Sequence, residues 1–239
     1  MDLFTSKYFY FIVLAITISY PVLQSFEKRI KFYKSWTILF PSIILMSLMH
    51  IPIDIIFTKI GVWSFSDELV YGFFIAGLPL EEWLFFIIIP FSCLFIYMVT
   101  KHFFTLPPPT LLLYYLTFYA GVILIILAIV FFERIYTSFY FSMAGATLII
   151  IYLTKPAWWK DFLFMYLIAL IPFLIINGFL TGSFTTNPVV EYNEAHILGI
   201  RILNIPIEDV VYCFQILVTV VAIYEFGVRS VKSLSVKDN

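Results

Sequence analysis

The sequence predicts an all-α, polytopic membrane protein of seven transmembrane helices, built as two parallel three-helix repeats joined by a linker helix. Three observations predict it. Apolar residues make up 62% of the 239-residue chain and charged residues 12%, against about half and about a quarter in a soluble domain. Apolar runs of roughly 18 to 23 residues, the length a bilayer span requires, recur along the whole chain. A short acidic motif occurs twice, "LPLEEWLFFIIIPF" at 78–91 and "NIPIEDVVYCFQILV" at 204–218, each time at the head of an apolar run.

Taken in order, the runs cover about 8–25, 37–57, 79–100, 111–132, 135–153, 161–180 and 206–226. The first is long, rich in aromatics and followed by a charged loop without a small-x-small cleavage signal, so it reads as a span rather than a signal peptide. The loop at 26–36 carries Lys28, Arg29, Lys31 and Lys34. Lys101, Lys155, Lys160, Arg229, Lys232 and Lys237 fall on the same side, against Lys7, Lys59, Arg134 and Arg201 on the other. The positive-inside rule then puts the N-terminus outside and the C-terminus in the cytoplasm, as expected of a multi-pass protein of the cytoplasmic membrane.

Both acidic motifs therefore open spans three and seven on the outer side. Pro79 and Pro206 suit the first helical turn, where a missing N–H is tolerated, and Glu81 and Glu208 follow two residues later. Upstream, "IPIDIIFTKIGVWSF" precedes the first motif and "IPFLIINGFLTGSF" the second, which pairs Asp54 with Asn177 and Ser64-Phe65 with Ser183-Phe184. Spans one to three (residues 1–105) and five to seven (135–239) thus form two copies of one unit, with span four (106–134) as linker. Parallel repeats place shared sites at their interface.

An acid in the first turn of a helix complements the helix dipole, and one such Glu is ordinary helix-start chemistry. The second copy, and the adjacent acids Glu82 and Asp209, argue for function, because paired carboxylates at a membrane boundary repel each other and lose hydration. A carboxyl among apolar walls can hold a proton while an ionised neighbour accepts one, which suits a reaction that adds and then removes a proton without redox change. Asp54, one turn after His50 inside span two, is a further candidate. Trp63, Tyr71, Trp83, Phe85, Phe86, Tyr212 and Phe214 lie near the motifs. They fit either an interfacial aromatic belt or a wall that stabilises a cation through ring quadrupoles. The polar segment "TNPVVEYNEAHILGIR" at 186–201 reads either as a cap over the cleft or as an ordinary loop.

Other classes find no support. A net charge of −1 offers no field for nucleic acid. Cys93 and Cys213 are isolated within apolar runs and read as packing residues. Nucleotide, flavin, nicotinamide and zinc motifs are missing, so no cofactor and no metal is expected. Span seven has no lysine for a retinal Schiff base, and the chain has no DDxxD for a diphosphate. A proton-coupled transporter is an open alternative, although the acids lie at one boundary rather than the midplane.

"SFEKRIKFYKSW", "IFTKIGVWSF", "LPLEEWLFFIIIPFSCLFIY", "NGFLTGSF", "PVVEYN", "LGIRILNIPIEDVVYCF" and "IYE" resemble the non-flavin lycopene cyclases, here in fused form, from about residue 8 to 226. The resemblance implies a lycopene β-cyclase of carotenoid biosynthesis, an isomerase. A proton adds to a terminal double bond of the linear carotenoid, the cation closes a six-membered ring, and a proton leaves. It implies Glu81, Glu82, Glu208 and Asp209 as the acid–base set; the residues themselves add Asp54 as a catalytic candidate and place Trp63, Trp83, Phe86, Asn177 and Tyr212 against the substrate. Membrane lipid is the expected surrounding; assembly with itself or with other carotenoid enzymes is left open. Ile53, Glu191 and Asn204 depart from the pattern, and the expectation is that they alter the pocket lining. A hydratase of acyclic carotenoid ends and a non-catalytic carotenoid-binding subunit are the nearest alternatives.

Overall fold

A computed structural model of the chain describes residues 6–237, without the side chains of Lys232 and residues 234–237. The outermost residues of the two predicted repeats, 1–5 and 238–239, lie outside the described residues, as do the side chains of Lys232 and Lys237 counted for orientation. Seven α-helices run in order among the described residues: α1 (Phe9–Gln24), α2 (Trp36–Lys59), α3 (Leu80–Phe103), α4 (Leu111–Val130), α5 (Ile135–Thr154), α6 (Trp159–Leu180) and α7 (Glu208–Lys237). Each predicted span has its helix, but they are not equal in length. Six are long and apolar enough to cross a membrane. The first predicted span becomes a helix of 16 residues, rising about 24 Å against a hydrocarbon core of about 30 Å.

Lipid explains the outer surface. On α4, Leu112, Leu116, Ile123, Ile126 and Ile129 are all exposed, an apolar face that water would reject. Inside the bundle, prolines leave carbonyls unpaired, and hydrocarbon cannot hydrate them. Pro90 frees the Phe86 carbonyl four residues back, and the Ser47 hydroxyl donates to it at 3.2 Å. Pro21 frees the Thr17 carbonyl, which Ser92 approaches at 3.4 Å.

Among the described residues, six short strands that the apolar pattern does not announce form three antiparallel pairs: β1 (Trp63–Phe65) with β4 (Val190–Tyr192), β2 (Phe74–Ile75) with β3 (Leu78–Pro79), and β5 (Arg201–Ile202) with β6 (Ile205–Pro206). Each hairpin feeds the helix that opens with an acidic motif. Ala76 and Gly77 both take positive φ in the first turn, and Leu203 does in the second, as tight hairpins demand. The motif prolines end strands β3 and β6 rather than entering the helix: Pro79 is extended, with ψ 150°. The next N–H closes each hairpin, Leu80 to Phe73 O and Ile207 to Ile200 O, both 2.9 Å.

The two halves are related by a pseudo-twofold axis. α1 packs on α3 as α5 packs on α7, and α2 packs on α7 as α6 packs on α3. In the β1–β4 pair, Trp63 faces Tyr192, Ser64 faces Glu191 and Phe65 faces Val190, so the axis passes through the central pair. This corrects the pairing of Ser64-Phe65 with Ser183-Phe184. The connection after α6 is longer, and Ser183 lies in a turn where its N–H reaches Gly178 O at 2.7 Å.

Candidate functional site

The starts of α1, α3, α5 and α7 and the ends of α2 and α6 gather at one end of the bundle, because successive helices alternate in direction. Two adjacent residues on a helix point about 100° apart, and this splits each acidic motif into two duties. Glu81 Oε1 accepts the Tyr71 N–H at 2.7 Å. Glu208 Oε1 accepts the Leu198 N–H at 2.6 Å and the Thr137 hydroxyl at 2.5 Å. Tyr71 and Leu198 are pseudo-symmetric partners. The first acid of each motif therefore ties down the loop that leads into its hairpin.

The second acids turn inward to a shared cavity of about 30 Å³, lined by Glu82, Asp209, Asp54 and Asn177 among aromatic rings. All four are buried. Tyr10, at the start of α1, donates to Glu82 Oε2 at 2.7 Å; Tyr136, at the start of α5, donates to Asp209 Oδ1 at 2.7 Å. Here the symmetry stops. Asp209 Oδ2 also accepts from Tyr192 at 2.8 Å and from Asn177 Nδ2 at 2.5 Å, whereas Glu82 receives Tyr10 alone among the described residues. Three donors suit a carboxylate, which has acceptor sites only. Burial first, and then the Asp209 charge, hold the Tyr192 phenol well above its usual value, so this strand residue is a donor. Asp54 Oδ2 has no partner among the described residues, and neither has either ring nitrogen of buried His50.

The rings form a continuous wall. Trp63 packs edge-on to Tyr136 at 5.2 Å, Tyr136 stacks on Tyr192 at 5.9 Å, and Phe65, Phe85 and Tyr212 complete the lining. β4 thus makes the 186–201 segment a cap. Of the residues singled out in the sequence, Glu82, Asp209, Asp54, Trp63, Phe85, Asn177 and Tyr212 meet here. Glu81 and Glu208 stand behind them. Trp83 turns away to donate to Ile75 O at 3.2 Å, and Phe86 is buried with its carbonyl against Ser47. Tyr10, Tyr136, Tyr192 and Phe173 were not singled out; a basic residue just before an aromatic-rich helix start (Lys7, Arg134) is the one signal the first two share.

The three departures do not line the cavity. Ile53 is half-buried and Glu191 exposed. Asn204 fastens the second hairpin, donating from Nδ2 to Gly182 O at 3.0 Å.

A family model described as Lycopene cyclase matches the chain twice, over residues 7–100 and 133–227. The matched segments take in α1, α2 and most of α3, then α5, α6 and α7 as far as residue 227, and omit α4. No curated protein and no solved structure matches the chain.

Proposed function

The chain belongs to the lycopene cyclase family, and from that premise we propose that it is a lycopene β-cyclase, an isomerase that needs no redox change. The observation that carries the proposal is the opposition of Glu82 and Asp209 across one aromatic cavity. Glu82 gives its proton to the terminal double bond of the linear carotenoid, and the Tyr10 hydroxyl on Oε2 stabilises the carboxylate left behind. The neighbouring double bond attacks the tertiary cation and closes the six-membered ring. The proton on the ring carbon where closure occurred then leaves, and Asp209, fixed by three donors, is the carboxylate that receives it. Atoms balance: one proton enters, one departs, and the substrate is isomerised.

Rings of Trp63, Phe85 and Tyr212 support the intervening cation, by roughly 2 kcal/mol or more per desolvated contact. In this reading residues 1–105 and 135–239 are two cyclase-type repeats and 106–134 the linker. The protein lies in the cytoplasmic membrane with its N-terminus outside, so the acids open toward the outer side.

Pigment analysis of a lycopene-accumulating bacterial host tests it. The wild-type chain yields β- or γ-carotene, and Glu82→Gln and Asp209→Asn leave lycopene at unchanged membrane levels. Ring formation by either variant at the wild-type rate contradicts the assignment.

A further inference from the structure

The cavity between the acids is far too small for a carotenoid, so the hydrocarbon behind the reacting end must lie elsewhere in the fold. A second cavity of about 210 Å³ lies between α1, α3 and α6 and shares Phe173 with the first. The two follow one another along the same helix faces. On α3, Glu82 and Phe85 line the acid cavity, and Ile89, Ser92 or Cys93, and Ile96 follow on the same face at spacings of three and four. On α1, Tyr10 is succeeded by Thr17 and Pro21; on α6, Asn177 is followed, going back toward its start, by Phe173 and Ala169. From Glu82 to Ile96 the face runs about 21 Å.

Both of its aliphatic hydroxyls are directed at backbone carbonyls. Thr17 Oγ1 donates to Val13 O at 2.8 Å, and Ser92 Oγ points to Thr17 O at 3.4 Å. The pseudo-symmetric cavity between α2, α5 and α7 is larger, about 710 Å³, but it carries Gln215 and Arg229 and shares no residue with the acid cavity. An amide and a guanidinium are poor company for a hydrocarbon.

We propose that the α1/α3/α6 cavity is the subsite for the polyene segment of the substrate, and that Phe173 is the partition its reacting end passes to reach Glu82. This rests on the cyclase reading, and the two are separable by experiment. Ile96 and its pseudo-symmetric counterpart Ile223 are both half-buried, so each position accepts a larger side chain. With full-length enzyme in phospholipid vesicles, Ile96→Trp raises KM for lycopene by about tenfold or more at little-changed kcat, the signature of lost uniform binding. Ile223→Trp leaves both within about twofold. Ala169→Phe, deeper in the same cavity, acts as Ile96→Trp does.

Binding is read separately from the visible circular dichroism that achiral lycopene acquires in Glu82→Gln protein. Adding Ile96→Trp abolishes that signal, and adding Ile223→Trp keeps it. Wild-type enzyme that binds lycopene without cyclising it defeats the cyclase reading and leaves the dichroism to decide the subsite. Unchanged KM and dichroism in Ile96→Trp and Ala169→Phe, or losses confined to Ile223→Trp, overturn the subsite.

Discussion

Glu81 and Glu82 are neighbours in the chain but not in environment. Glu81 Oε1 is taken by the Tyr71 N–H, while Glu82 faces the cavity. Glu81→Gln keeps an acceptor for that N–H, so turnover stays within about tenfold of wild type, whereas Glu82→Gln loses about 10²- to 10⁴-fold, the contribution of a positioned general acid. Parallel turnover and membrane-level measurements check the contrast. Tyr192→Phe removes one of three donors from Asp209. A hydrogen bond to a charged group contributes about 1.5–3 kcal/mol, so turnover falls roughly ten- to hundredfold while the fold persists. The acids were legible in the sequence because paired carboxylates at the head of an apolar helix are anomalous. Their division of labour was not, since it depends on how each helix is rotated about its axis. Tyr10 and Tyr136 were hidden for another reason: among 16 tyrosines and 28 phenylalanines, a hydrogen-bond donor looks like any belt or packing ring.

At the scale of elements, α4 and α5 meet where neither has a side chain. A Cβ on Gly145 would come within 2.8 Å of the Gly121 carbonyl oxygen, and one on Gly121 within 2.9 Å of the Gly145 oxygen. Backbone cannot yield as a flexible side chain does. Gly145→Leu therefore drives the linker helix away and destabilises the fold by about 1–3 kcal/mol, read as a lower thermal midpoint in detergent, with cyclisation retained below that midpoint. The helices were legible from apolar run length alone. The hairpins were not, because strands of two residues carry no alternation to detect, and their turns open on Ala76 and Leu203, leaving Gly77 and Asn204 at the second position only. The longer connection after α6 likewise misled the repeat alignment at Ser183-Phe184, although Asp54 and Asn177 do converge on one cavity.

The whole molecule is two similar halves whose inner faces make a single asymmetric site. The first half brings Tyr10, Asp54 and Glu82, the second Tyr136, Asn177, Tyr192 and Asp209. α2 packs on α7, α3 on α6 and β1 on β4, so the contacts that close the site cross between halves. Residues 1–105 and 106–239 produced as separate polypeptides in one lycopene-accumulating cell therefore restore ring formation, and either alone yields none; pigment extracts from the three strains decide it. In such a cyclisation one proton enters the substrate from a carboxyl group and a different one leaves. Cyclisation in heavy water, followed by mass spectrometry of the product, tests it most directly. Proton-initiated ring closure predicts one deuterium retained per ring formed, a label that disappears together with the product in Glu82→Gln. Rings formed at the normal rate in heavy water without added mass would rule out proton entry from a carboxyl group.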